Sequence, residues 1–178
     1  MNFTSNCAKV PGFSGWGTPL FGAVNYWGGI ENIPEMLAIE GHTVIVTPIA
    51  PISSNWERAC ELYAQLDYGY TRVARGRRSA ILFTQNREKW NNWVWEEDKP
   101  VHFICHSQGG NTVRYLLHLL AHGSFSPDKT PTHSKYFDQL GRSKWDISVS
   151  TIGTPHRGTT IIDVLYDLLK VRRTYMNI

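Results

Sequence analysis

The chain has 178 residues, 42% hydrophobic and 12% aromatic, which is enough to bury one core and argues against disorder. Its formal charge of +3 comes from 18 basic and 15 acidic residues, spread out except between Arg72 and Arg78, and gives no support for nucleic-acid binding. No run of about 18 apolar residues is present, so no transmembrane segment is expected.

Met1 to Val10 lack the basic start and apolar centre of a secretory signal, so the chain as given is expected to begin in the cytosol. A strand should precede the glycine-rich loop that follows, but Asn6 to Lys9 is not an apolar run and supports one poorly. Cys7, Cys60 and Cys105 are odd in number and lack zinc-like spacing, which argues against a disulfide framework or metal knuckle. Cys60 and Cys105 read as small buried residues.

From Val10 to Gly29 glycines and aromatics alternate, as in a long loop with sites of positive φ or close backbone approach. Ile33 to Ile39 is predicted as a short helix with Pro34 in its first turn and Gly41 at its end. Thr43 to Ile49 is rich in β-branched residues and reads as a strand closed by Pro48 and Pro51. Ser53, Ser54 and Asn55 offer N-caps to a helix whose apolar face is Ala59, Leu62, Tyr63 and Leu66, ending at Asp67 to Gly69.

Residues 70–99 are harder to read. Arg72, Arg75, Arg77 and Arg78 suit a solvated helix face or loop. Trp90, Trp93 and Val94 have helical spacing and read as core anchors.

Val101 to Asn111 is the stretch with chemistry in it. Val101, Phe103, Ile104 and Cys105 suit a strand covered on both faces, and Val113, Leu116, Leu117 and Leu120 follow at helical spacing. Ser107 stands where the period changes. A serine on such a turn has its hydroxyl pushed out of the sheet edge beside the positive end of the next helix, so Ser107 is a candidate nucleophile. Gly109 fits the Gly-x-Ser-x-Gly pattern, whereas Cys105 stands where its first glycine belongs. The plainer alternative is a helix that Ser107 merely caps.

Gly123 to Arg142 reads as a surface loop or insertion. Asp146 to Ile152 is a further strand, Gly153 to Gly158 a loop at its end, and Thr160 to Lys170 a last helix. Strand and helix alternate throughout, which gives one domain of class α/β with a mainly parallel sheet and flanking helices.

Four blocks occur in one order: Gly12 to Gly17 with Tyr26 to Gly29, Ser53 to Leu66 with Asp67 to Gly69, His106 to Gly110, and Thr154 to Thr160. Together they resemble the secreted triacylglycerol lipases of the thermophilic Bacillus and Staphylococcus type, over about Val10 to Leu169. The resemblance implies an α/β-hydrolase fold, here truncated before its last strands, so that residues 1–178 are a partial lipase domain. It implies acylglycerol esters as substrates, a lipid–water interface as the workplace and an extracellular location.

Carried onto this chain, the resemblance makes Ser107 the nucleophile and gives the oxyanion hole the backbone N–H groups of Gln108 and Phe13. Pro11 departs from the histidine usual before Gly-Phe. The family's zinc site would draw on Glu57 and on histidines whose positions fall among Arg72 to Arg78. Arginine cannot ligate a metal, so loss of the zinc is expected, with the arginines pairing with Glu57 or Glu61. The family's calcium ligands, like the triad acid and histidine, lie beyond Ile178.

Within the chain, His106 and His102 should point to one face of their strand, and His118 and His122 lie on the helix behind the turn. His156 remains as a candidate base, at the carboxyl end of a strand with Asp146 upstream in the right order. Its block, however, matches a family motif outside the triad, where its role is to brace the loop. The resulting expectation is a lipase-type serine ester hydrolase that needs further residues. The alternative is an inactive lipase-like fragment or lipid-binding remnant.

Overall fold

The computed structural model describes residues 5–13, 15, 23–68, 71–73, 81–83, 93–123, 137, 142, 144–160 and 164. The fold is α/β. Strands β1 (Asn6–Val10), β2 (Thr43–Val46), β5 (Val101–His106) and β6 (Asp146–Ile152) form a parallel sheet in the order β2-β1-β5-β6. Parallel strands need crossovers. Those described are α1 (Ile33–Ile39), α2 (Asn55–Tyr68) and α3 (Gln108–His122).

The weakly supported first strand proves to be interior. β1 pairs on both sides, Asn6 with Thr43 and Val101, and Val10 with Cys105, and its Cys7, Ala8, Lys9 and Val10 are all buried. Paired edges override an unpromising composition, and the one misfit side chain finds an aromatic: Lys9 Nζ lies 5.4 Å from the ring centroid of Trp27. Burial lowers the pKa of Lys9, with neighbouring Cys7 opposing it.

α1 has its expected bounds, with Asn32 Oδ1 accepting from Glu35 N at 3.3 Å, Pro34 in the first turn and Gly41 at φ 95° after its end. α2 begins with a capping box: Ser54 Oγ accepts from Glu57 N at 3.2 Å and Glu57 Oε2 accepts from Ser54 N at 3.0 Å. Its expected face, Ala59, Leu62, Tyr63 and Leu66, is buried against Val101, Phe103, Val113, Leu116 and Leu120.

Three readings between these elements change. Arg72 lies on β3 (Thr71–Val73), which pairs antiparallel with β4 (Ile81–Phe83), and not on a helix face or loop. Arg75, Arg77, Arg78 and Trp90 lie outside the described residues. Residues 93–95 are not helical, and Trp95, not Val94, is the deep aromatic there. Trp93 Nε1 donates to Leu66 O at 2.8 Å. Within the supposed surface loop after α3, Phe137 and Arg142 are buried: Phe137 packs against Tyr63 and Trp56, and Arg142 donates to the Tyr63 hydroxyl.

β6 has its expected bounds and stands at the edge of the sheet, with Val149 and Ile152 exposed. Of the predicted last helix, only Thr160 and Val164 are described, joined by Val164 N to Thr160 O at 3.1 Å. Among the described residues no helix is long and apolar enough to cross a membrane.

Candidate active site

Ser107 occupies the corner between β5 and α3 with φ 52° and ψ −127°, the one non-glycine residue at positive φ among those described. A conformation of this kind costs about 1–3 kcal/mol and persists only where its surroundings enforce it. The enforcement is visible. Ser107 N donates to Ile152 O of β6 at 2.8 Å, and Gly109 packs so tightly on β1 that a Cβ there would run into the carbonyl oxygens of Val10 and Pro11. A Cβ at Gly110 would likewise run into Thr154.

Although Ser107 is the residue before α3, its side chain makes no capping hydrogen bond. A capping serine would spend its oxygen on the helix N–H groups, and Ser107 does not. Cys105, in the place of the motif's first glycine, is fully buried, and burial pushes its thiol up to about 12.

The loop after β1 runs directly beside the serine. A Cβ built on Gly12 would lie 2.6 Å from Ser107 Cβ and 3.1 Å from Ser107 Oγ. Next in the chain, Phe13 is 55% exposed, and no acceptor bonds its N–H among the described residues. Gln108 opens α3, where the N–H groups of the first turn have no acceptor inside the helix. Its side chain reaches back, Nε2 to Ser53 O at 3.4 Å, while Oε1 is buried with no partner among the described residues.

Two residues that the sequence did not single out hold the loop. Arg58, fully buried on α2, donates from Nε to Thr112 Oγ1 at 2.9 Å, and from its two terminal nitrogens to Ala50 O at 2.8 Å and Pro11 O at 2.5 Å. Burial pushes its pKa down to about 10, with Glu61 and Tyr26 opposing, which leaves it charged at neutral pH. Tyr26 Oη accepts from Gly12 N at 2.9 Å and lies 2.6 Å from His106 Nδ1. The sequence carries only faint traces of them: an arginine one turn before Leu62 on the apolar stripe of α2, and a tyrosine two residues before Gly28.

The histidines are placed one by one. His106 ends β5, exposed and joined to Tyr26, and His102 Nδ1 lies 2.8 Å from Ser148 Oγ. His118 and His122 stack on the exposed side of α3 with ring centroids 4.6 Å apart. His156 sits in the loop after β6, with Nε2 3.3 Å from Thr151 Oγ1 and its N–H donated to Thr154 O at 2.9 Å. Asn111 Nδ2 ties the same loop to α3 through Pro155 O at 3.3 Å. Among the described residues no imidazole or carboxylate is hydrogen-bonded to Ser107. Asp146 pairs with Val101 at the far end of the sheet, six residues of strand from Ile152. That is roughly 20 Å, so Asp146 does not orient His156.

The donor set that a zinc ion would need is also defined in part. Glu57 Oε2 accepts from both Ser54 N and Ser54 Oγ, at 3.0 and 3.1 Å, and Glu61 Oε2 accepts from Ala50 N at 2.6 Å. Among the described residues no three His, Cys, Asp or Glu side chains converge as metal ligands. A groove of about 260 Å³ lined by Asn55, Asn111, Arg114, Tyr115 and His118 lies on the outer side of α3, and Ser107 does not line it.

Comparison with known proteins places this geometry. Residues 7–178 match the profile of the family described as Lipase-like, C-terminal domain. The chain is 32% identical to a lipase of Staphylococcus epidermidis over 177 residues, covering 92% of this chain and 25% of that protein. It is 34% identical to a lipase of Staphylococcus hyicus over 168 residues, covering 86% of this chain and 25% of the relative. Among solved structures, EstA from Clostridium botulinum superposes with a TM-score of 0.67 at 32% identity, over 91% of this chain and 38% of EstA. The Staphylococcus hyicus lipase structure gives 0.59 at 28% identity, over 92% of this chain and 47% of that one. The chain thus spans about a quarter of the staphylococcal lipases it matches.

Proposed function

The chain belongs to the lipase-like, C-terminal domain family, and from that membership we propose that it carries the nucleophile and oxyanion-binding half of a serine ester hydrolase of α/β-hydrolase fold. The sheet order and the strand-to-helix corner suit that fold. The carrying observation is Ser107, held at φ 52° with no capping bond from its hydroxyl to α3 and the Gly12 loop alongside.

In the reaction, Ser107 Oγ attacks the ester carbonyl carbon while a base takes its proton, and the carbonyl π pair moves onto oxygen. The N–H groups of Phe13 and Gln108 receive that oxyanion. By analogy with side-chain donors in other hydrolases, each such donor contributes roughly 10²–10³ in rate. Collapse breaks the ester C–O bond, the leaving alkoxide takes the proton from the base, and the acyl-serine is then hydrolysed by water through the same steps. The base and its acid come from outside the described residues, and His156 braces the loop after β6.

The substrates are lipid esters of the acylglycerol type met at a lipid–water interface, outside the cell, with no nucleic acid involved. Zinc has no part in this chemistry. The carboxylate of Glu57 serves the α2 cap, and the arginines at 72 to 78 cannot ligate metal. Metal analysis of purified protein should therefore find no stoichiometric zinc, and one zinc per chain would refute that part.

Ester turnover tests the main reading. With imidazole supplied as base, the chain should be acylated by p-nitrophenyl butyrate and release p-nitrophenol faster than imidazole alone, and Ser107→Ala should release it only at the rate of imidazole alone. Equal release by the two proteins would refute it.

A further inference from the structure

A single peptide unit next to the nucleophile is held at both ends. The Pro11 carbonyl accepts from the Arg58 guanidinium at 2.5 Å, and the N–H of the same unit, on Gly12, is donated to Tyr26 Oη at 2.9 Å. A trans peptide is planar with C=O and N–H pointing opposite ways, so bonds to both ends fix its rotation about the chain. The proline adds a fixed φ on its own side. With this plane fixed and Gly12 packed against the Ser107 corner, the next unit, Gly12–Phe13, starts from a set position, and it is the unit that carries the N–H of Phe13.

The anchor is in turn held. Tyr26 lies in a tight turn closed by Asn25 N to Gly29 O at 2.7 Å, and packs edge-on against Trp27 at 5.4 Å and His106 at 5.6 Å. Trp27 is buried over Lys9 of the central strand. The phenol oxygen also bridges to His106 Nδ1 at 2.6 Å, and His106 is the residue before Ser107. One oxygen atom therefore spans the oxyanion loop and the nucleophile strand.

On the reading of Ser107 and Phe13 given above, we infer that Tyr26 is a positioning residue for ester cleavage: its hydroxyl holds the Pro11–Gly12 peptide so that the Phe13 N–H faces the oxyanion formed at Ser107. Arg58 holds the other end of that peptide but also ties α2 to α3 through Thr112, so its loss reaches further than the site. Tyr26→Phe removes a single oxygen, with its bonds to Gly12 N and His106 Nδ1, and keeps the ring, which makes it the narrower probe, with the Gly12 amide as the readout of the first bond.

The test is phosphonylation of Ser107 by an aryl alkylphosphonate, with imidazole as base, measured over reagent concentration for wild type, Tyr26→Phe and Ser107→Ala. The phosphonyl oxygen accumulates negative charge where an ester oxyanion would. Tyr26→Phe should lower the limiting rate roughly tenfold to a hundredfold, as for a misplacement of about 1 Å, at unchanged half-saturation. Hydrogen exchange of the Gly12 amide should speed up while the melting temperature stays near that of wild type. A Tyr26→Phe protein with the wild-type limiting rate, a loss confined to half-saturation, or an unchanged Gly12 amide would overturn the proposal with the Ser107 reading intact. Wild type that reacts no faster than Ser107→Ala would remove that reading, and the role of Tyr26 with it.

Discussion

Gly12 leaves no room for a side chain against Ser107: a Cβ on Gly12 would sit 2.6 Å from Ser107 Cβ and 2.9 Å from His106 O. Neither neighbour can yield, since Ser107 is fixed by its bond to Ile152 and His106 O is main chain. Gly12→Ala should therefore push the loop off the serine. Overpacking of this kind costs about 1–3 kcal/mol, so urea unfolding should shift to a lower midpoint and phosphonylation of Ser107 should fall with it. An alanine variant with the wild-type midpoint would show that the loop is free to move.

Arg58 makes three hydrogen bonds to three segments, and the charge that most opposes its desolvation is that of Glu61. A lysine has a single nitrogen and cannot reach Thr112 Oγ1, Ala50 O and Pro11 O together. Arg58→Lys is expected to destabilise the fold by roughly 3 kcal/mol, because buried acceptors lose a charged donor. Urea titration measures this, and a change below about 1 kcal/mol would mean that water replaces the lost bonds.

Stability should fall in alkali. Burial pushes the thiols of Cys60 and Cys105 up to about 12, and pushes Tyr63 up to about 12 against the opposing hydrogen bond from Arg142. In the unfolded chain these groups lose their protons from about 8.5 for Cys and about 10 for Tyr. Between those values and about 12 the folded chain holds more protons, so stability is complete below the unfolded values and declines as pH rises towards the folded ones. The urea midpoint should be lower at about pH 10.5 than at about pH 7.5. An equal or higher alkaline midpoint would contradict the burial of these groups.

Periodicity carried the parts of the fold where it was strong. The bounds of β6, the buried face of α2 and the break at Ser107 follow from patterns of three to four residues or of two, and those of α1 from Pro34 and Gly41 at its ends. β1 escaped because its support comes from two neighbouring strands and from Trp27, none of which is near in sequence. Trp95, Phe137 and Arg142 escaped for the same reason, being buried by contacts with Tyr63 and Trp145 across the chain. At the site, Ser107 and its glycines were legible as a motif. Tyr26 and Arg58 were not, because their role depends on which end of the Pro11–Gly12 peptide each one reaches.

The central claim is that Ser107 is a nucleophile, and peptide mapping after treatment with a fluorophosphonate, with imidazole supplied as base, measures it most directly. The account predicts one adduct per chain, on the peptide containing Ser107, absent from Ser107→Ala and slowed in Gly12→Ala. No adduct, or an adduct on another residue that survives in Ser107→Ala, would contradict it.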